Sequence, residues 1–134
     1  MQPEVFVIAP FDAEGQRVQD TVRRAVEEAG LGVIQPQDVL LPGAEMTSSI
    51  LDGIRRADLI IADVSRQNSN VFYEVGFAHA LRKPTILLFN KKSNLSLPSD
   101  LAGLQYIVYD LVNLRGLADR VKSEAKALTL QRSA

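Results

Sequence analysis

The sequence predicts an α/β domain in which helices cover both faces of a parallel β-sheet. Strand-like and helix-like segments alternate along the whole chain, and the strand-like segments are continuous apolar runs. Such runs are typical of strands that are buried on both faces of a sheet. The 134 residues are enough for one domain (1–134) with its own core. Whether that domain is a whole protein or was cut from a longer one stays open.

The first half of the chain holds two predicted strands and two predicted helices. "EVFVIA" (4–9) is a short apolar run with β-branched residues, which predicts a buried strand. Over 16–30 apolar residues recur every three or four positions, which predicts a helix ended by Ala-Gly. A second short strand is predicted at 31–36, followed by a loop at 37–45 and an amphipathic helix at 46–57.

The second half repeats this alternation and completes a five-stranded sheet. "DLIIADVS" (58–65) is the clearest buried strand in the chain. The elements predicted after it are a helix at about 70–82, a strand at 85–90, a polar loop at 91–103, a strand at 105–110 and a helix at 114–128. Right-handed crossovers between five parallel strands favour a flavodoxin-like three-layer sandwich with strand order 2-1-3-4-5.

Composition excludes several classes of function. Lys+Arg is 15 and Asp+Glu is 16, so the net charge of −1 predicts neither nucleic acid nor an anionic membrane as a partner. There is no cysteine and only one histidine, His79, so we expect no disulfide and no metal. We expect no cofactor either. The apolar runs are far shorter than a membrane span, which predicts a soluble, cytoplasmic domain.

A ligand site is expected where the strand order reverses, between the ends of strands one and three. Strand one ends in Ala9-Pro10-Phe11-Asp12, and strand three ends in Asp63-Val64-Ser65. Asp63 either faces a ligand or caps the turn that follows it. Phe11 lies either against a base or in the core. Both alternatives stay open.

Glu74 is the main candidate for chemistry, because it is a lone acid in the apolar helix that leaves strand three. A carboxylate near a helix N-terminus is also favoured by the helix dipole, by about 0.3–1 kcal/mol, so a purely structural role stays open. Inside a helix Gly76 costs about 1 kcal/mol of stability relative to alanine. Such a glycine is expected where another group must approach the backbone closely or where the helix packs tightly on a strand. Asn68, Ser69 and Asn70 provide more capping groups than one helix needs, and the spare groups suit ribose or phosphate.

These residues carry a resemblance to a known group of enzymes. "ADLIIADVSRQNSNVFYEVGFAHALRKPTILL" (57–88) resembles the signature region of the nucleoside 2-deoxyribosyltransferase superfamily and its TIR-like relatives. "VFVIAPF" (5–11) and "LPGAEMTSSILDGIRRAD" (41–58) resemble segments of the same group. The most specific part is the Glu-x-Gly-x-Ala core formed by Glu74, Gly76 and Ala78.

The resemblance implies cleavage of the N-glycosidic bond of a nucleoside, a nucleotide or NAD, with NAD as a substrate rather than a cofactor. It implies that Glu74 is the nucleophile or the carboxylate that stabilises an oxocarbenium ion. Asp63 is then the suspected proton donor. The residues implied to bind substrate are Pro10, Phe11, Asn68, Ser69, Asn70 and Gly76.

Two other functions stay open for the same fold. One is a module that senses a nucleotide without turnover, and the other is a TIR-like domain that works by self-association, for example in bacterial defence. The apolar residues of helix 70–82, among them Val71, Tyr73 and Leu81, predict a homo-oligomer with this helix at the contact.

Overall fold

The predicted sheet and its strand order are confirmed by a computed structural model, which describes residues 2–10, 12–34, 46–66, 68–93 and 104–133. Five strands form one parallel sheet in the order β2-β1-β3-β4-β5. The strands are β1 (Glu4–Ile8), β2 (Gly32–Ile34), β3 (Leu59–Asp63), β4 (Thr85–Asn90) and β5 (Gln105–Tyr109). The helices are α1 (Ala13–Glu28), α2 (Met46–Arg56), α3 (Ser69–Ala80) and α4 (Leu114–Ser133).

The sheet has an apolar core on each face, as its continuous apolar strands predict. Along β1, Val5 and Val7 pack on the side of α1 and α4, whereas Phe6 and Ile8 pack on the side of α2 and α3. All five residues of β3 are buried. This central strand is therefore screened from water on both faces.

Helix boundaries depart from the apolar pattern where side-chain caps define them. Helix α1 begins at Ala13 rather than at 16, because the Asp12 carboxylate accepts a hydrogen bond of 2.8 Å from the Gly15 N–H. Helix α3 begins at Ser69, capped by Asn68, and ends at Ala80. Arg82 follows with a φ of 57°, and this left-handed residue stops the helix before "KP".

Three predicted segments lie partly or wholly outside the described residues. The loop at 37–45 lies outside them, as does Phe11. The second strand is described as far as Ile34, and the polar loop at 91–103 only as far as Ser93.

The two helices on one face of the sheet frame the predicted ligand crevice. Helix α2 approaches β1 closely, because a Cβ added at Gly53 would lie 2.8 Å from the Phe6 ring. Helix α3 buries Val71, Val75 and Ala78 against the same face. Part of the apolar surface of α3 is therefore covered by the sheet. Tyr73 of the helix and Leu81, directly after it, remain exposed.

Candidate active site

A cleft opens beside the carboxyl end of β1, where the strand order reverses. It has a volume of about 450 Å³, counting the space open to solvent. Its walls come from Phe6–Pro10, from Gln19 on α1, from Ile50 on α2 and from the first turns of α3. Ligand sites of open α/β sheets lie at this position, so a cleft is present where the sequence predicts a site. We call it the Glu74 cleft, after the one acidic side chain among the described residues that line it.

Glu74 is the sixth residue of α3 and lies in its second turn, partly buried in the cleft wall. Within the described part of the chain its carboxylate accepts no hydrogen bond and pairs with no cation. Burial raises its pKa to about 7, because losing water disfavours the charged form. The first turn of α3 holds no acidic residue, and the helix dipole fades beyond that turn. Stabilisation by the helix dipole therefore does not explain why an acidic residue occupies position 74.

The N-terminus of α3 supplies polar groups to the same cleft. The Asn68 side-chain oxygen accepts hydrogen bonds from the Asn70 and Val71 N–H groups, at 3.0 and 3.1 Å. Asn68 and Asn70 both line the cleft, together with Pro10. The Asn68 amide NH₂ group has no partner among the described residues, so it remains a donor that could meet a ligand.

Two of the predicted binding residues lie beside the cleft rather than in it. Ser69 is exposed at the start of α3 and is not among the lining residues. Gly76 is also exposed, and a Cβ added there would meet no atom within 4 Å. Tight packing within the described chain therefore does not explain the glycine.

The contacts of Asp63 fit the alternative in which it caps the turn after β3. Its side chain is only 2% exposed at the end of β3 and does not line the cleft. It accepts hydrogen bonds from the Ser65 N–H at 3.0 Å and the Ser65 hydroxyl at 2.5 Å, which close the turn after β3. The Tyr109 hydroxyl donates a third, at 2.8 Å. The assignment of Asp63 as a proton donor stays a prediction, and these contacts do not place it beside Glu74.

An ion pair joins the exits of β1 and β3 and was not expected from the sequence. Arg66 contacts the Asp12 carboxylate and lies 3.6 Å from Glu14. The Gly15 N–H holds the pKa of Asp12 below its usual value, and Arg66 lowers it further. The one signal in the sequence is that Asp12 and Arg66 follow the ends of neighbouring parallel strands, and it does not single out these two side chains as partners.

Sequence reasoning also missed Gln19, Ile50 and Tyr109. Gln19 lies on α1 and Ile50 on α2, and both reach the cleft because of how these helices pack on the sheet. Neither residue belongs to a recognisable motif. Tyr109 reaches Asp63 from β5 across the intervening strand β4. No local pattern marks such long-range partners.

The described residues hold no cluster of three or more His, Asp or Glu side chains able to bind a metal ion. Within the same ranges, no helix is both long and apolar enough to cross a membrane.

Solved structures similar to this one include two enzymes and a receptor domain. The CMP N-glycosidase BcmB of Clostridium botulinum is 23% identical, with a TM-score of 0.65 over 88% of this chain and 97% of its own. The 2-deoxyribosyltransferase of Bacillus psychrosaccharolyticus is 15% identical, with a TM-score of 0.66 over 87% of this chain and 90% of its own. The TIR domain of the Toll-related receptor TRR-2 from Hydra magnipapillata is 17% identical, with a TM-score of 0.69 over 92% of this chain and 97% of its own. At these identities the likeness shows a shared fold.

No curated protein sequence matches the chain. The family model described as Nucleoside 2-deoxyribosyltransferase does match, over residues 8–112, which run from the last residue of β1 past the end of β5 and include Glu74 and the other cleft residues from Ile8 onward. The protein therefore belongs to the nucleoside 2-deoxyribosyltransferase family.

Proposed function

We propose that this protein cleaves the N-glycosidic bond of a nucleoside or nucleotide, with Glu74 as the carboxylate that meets the anomeric carbon. The observation that carries the proposal is the state of Glu74: it lines the cleft at the expected end of the sheet, is partly buried, and has no counter-charge among the described residues. Membership of the family supports the reaction class, as does the chemistry named for two structures of the same fold.

The chemistry follows from how charge moves during the reaction. The bond between the anomeric carbon and the base nitrogen breaks, and its electron pair leaves with the base. Positive charge then develops on the anomeric carbon and the ring oxygen of the sugar. The Glu74 carboxylate either stabilises this cation or bonds to it as a glycosyl ester, and water or a second base completes the exchange.

An unpaired carboxylate suits this reaction because its partner appears only in the transition state. Lost hydration disfavours the ionised form of Glu74, and this raises its pKa. A developing sugar cation supplies the missing opposite charge. The carboxylate therefore binds the transition state more tightly than the substrate, which is the condition for raising kcat.

The described cleft favours a substrate whose base leaves easily. Glu74 is the one titratable side chain among the described lining residues, and Asp63 is held in its own hydrogen bonds. A cationic base such as the nicotinamide of NAD leaves as a neutral molecule without a proton. An unmodified purine or pyrimidine needs an acid, so we expect slower release from those substrates.

A panel of nucleosides, deoxynucleotides and NAD tests the proposal, with released base detected chromatographically. We expect the wild-type protein to release base from at least one of them at pH 8, and Glu74→Gln to lower the rate by at least about a hundredfold. Glu27→Gln, an exposed acid on α1 outside the cleft, is the matched control and should keep the wild-type rate. Equal rates for wild type and Glu74→Gln would remove Glu74 from the mechanism.

A second candidate function is nucleotide sensing or self-association without turnover, as in the TIR-like alternative. The exposed side of α3 favours it, because Tyr73 is 61% exposed and Leu81 42% exposed, with Gly76 and Ala80 also exposed. We propose that a second copy of the chain contacts this side. Sedimentation equilibrium with saturable nucleotide binding but no base release would support this candidate over the enzyme, and a monomer at high concentration would count against it.

A further inference from the structure

A buried hydrogen-bond network lies behind the cleft, at the carboxyl ends of β3 and β5. Asp63, Ser65 and Tyr109 are 2%, 6% and 6% exposed. Tyr109 and Ser65 each donate a hydroxyl hydrogen bond to a different oxygen of the Asp63 carboxylate, at 2.8 and 2.5 Å. The two hydroxyl oxygens are themselves 3.2 Å apart. Every member of this network therefore has a partner, which is the condition for a polar group to be buried at low cost.

The same network fixes the segment that leaves β3 to its neighbours. The Asn90 N–H at the end of β4 donates to the Ser65 hydroxyl oxygen, at 2.7 Å. The Ser93 hydroxyl donates to the Ser65 carbonyl oxygen, at 2.5 Å. On the opposite side, Arg66 of this segment is paired with Asp12. The chain between β3 and α3 is thus held from β4 and β5 on one side and from the exit of β1 on the other.

This segment leads directly to the cleft. Asn68, two residues after Arg66, caps α3 and lines the cleft, and Glu74 follows in the next turn of the same helix. A shift of the segment would move the start of α3 away from Ile8 and Pro10 of the opposite wall. It would also admit water around Glu74.

Stability alone does not explain why the side chains at these positions are polar. Buried ionic and polar networks can often be replaced by apolar side chains of similar volume without loss of stability, whereas directional hydrogen bonds can specify a single geometry. Burial raises the pKa of Tyr109, and the Asp63 carboxylate raises it further. The Tyr109 hydroxyl therefore keeps its proton and acts as a permanent donor.

We propose that Tyr109 is a positioning residue for the Glu74 cleft: its hydroxyl, acting through Asp63 and Ser65, fixes the segment that carries Asn68 and α3. The kinetic part of this proposal rests on the proposed function. Its structural part is that the network keeps Glu74 partly buried, and this can be measured without turnover.

Tyr109→Phe removes one hydroxyl and keeps the ring, so it tests the network directly. The matched control is Tyr106→Phe, which removes an exposed hydroxyl from the same strand. The Glu74 carboxyl is titrated by ¹³C NMR in each protein and assigned with Glu74→Gln. We expect a midpoint near pH 7 in the wild type and in Tyr106→Phe, and a midpoint lower by at least about half a pH unit in Tyr109→Phe, because hydration favours the charged form.

The second measurement is the kinetics on any substrate from which the wild type releases base. We expect kcat for Tyr109→Phe to fall by about ten- to a hundredfold with a smaller change in KM, because misplacement by about 1 Å can cost a hundredfold in rate. Ser65→Ala should act in the same direction, and Ser65→Thr, which keeps the hydroxyl, should restore the wild-type values. These two variants carry the test if Tyr109→Phe does not fold.

The outcomes separate the two proposals. A wild type that releases no base overturns the proposed function, while a lowered Glu74 midpoint in Tyr109→Phe still supports the network. An unchanged Glu74 midpoint in Tyr109→Phe and Ser65→Ala overturns the positioning role, even if both variants melt at a lower temperature. That result would leave the network as a stabiliser of the sheet alone.

Discussion

Asp63 and Glu74 belong to consecutive elements, β3 and α3, yet their surroundings are opposite. Asp63 is fully buried and accepts three hydrogen bonds from Ser65 and Tyr109. Glu74 is partly buried and accepts none within the described residues, and burial raises its pKa to about 7. A satisfied buried acid serves the structure that satisfies it. An unsatisfied one is kept at a cost in stability, and such costs concentrate at functional sites.

The largest loss of stability is expected when Asp63, the acid with hydrogen-bond partners, is replaced. Asp63→Ala leaves the Tyr109 and Ser65 hydroxyls buried without their acceptor, and breaking a buried charged network costs about 3–5 kcal/mol. Urea unfolding measures the loss in the free energy of unfolding. Asp52→Ala is the control, because Asp52 is exposed and its one ion-pair partner among the described residues is the exposed Arg55, so its removal should cost less than about 1 kcal/mol. Equal losses for the two variants would show that the Asp63 network is not structural.

The pH dependence of catalysis tests the role of Glu74, the acid without a hydrogen-bond partner among the described residues. If Glu74 acts as an anion, kcat/KM for base release should rise with pH and reach a plateau above its pKa of about 7. Below that pH the rate should fall about tenfold per unit, so at pH 5 it should be about a hundredfold under the plateau. The measurement needs a substrate that does not titrate between pH 5 and 9. A flat profile over this range would show that ionisation of Glu74 does not limit the reaction.

The smallest effect is expected at Gly76, which like Glu74 is locally unfavourable on α3. Its position is exposed and open, so Gly76→Ala should raise the free energy of unfolding by about 1 kcal/mol through helix propensity alone. If the glycine is kept for contact with a second copy, the same variant should self-associate more weakly in sedimentation equilibrium. A variant less stable than the wild type would contradict the helix-propensity account.

The sheet was predictable because its determinants are local and redundant. Continuous apolar runs and right-handed crossovers leave few alternatives to the order β2-β1-β3-β4-β5. Helix starts were less predictable, since α1 begins where Asp12 caps it and not where its apolar spacing begins. The family could also be predicted from local sequence, because the segment that resembles it, 57–88, is continuous.

The surroundings of the two acids were predictable to different degrees. The apolar neighbours of Glu74 are adjacent in sequence, so its burial could be inferred from the helix alone. The partners of Asp63 could not be inferred in this way, because Tyr109 comes from β5 and nothing in the local sequence distinguishes its hydroxyl from the others in the chain. The Arg66–Asp12 pair across the cleft end of the sheet has the same long-range origin.

The central claim is that the charge on Glu74 opposes folding and is retained for chemistry. A carboxyl whose pKa is raised from 4.5 to about 7 on folding binds protons more tightly in the folded state. Its penalty is therefore absent below pH 4.5, grows as the pH rises toward 7, and is constant above that. Glu74→Gln removes the charge and should remove this penalty.

The most direct test is urea unfolding of the wild type and Glu74→Gln at pH 8 and pH 5. Allowing for the partial exposure of Glu74, we predict that the variant is more stable by about 2 kcal/mol at pH 8 and by less than half of that at pH 5. Glu27→Gln should show no such difference between the two pH values. A Glu74→Gln protein that is less stable than the wild type at pH 8 would contradict the account, because the charge would then be supporting the fold.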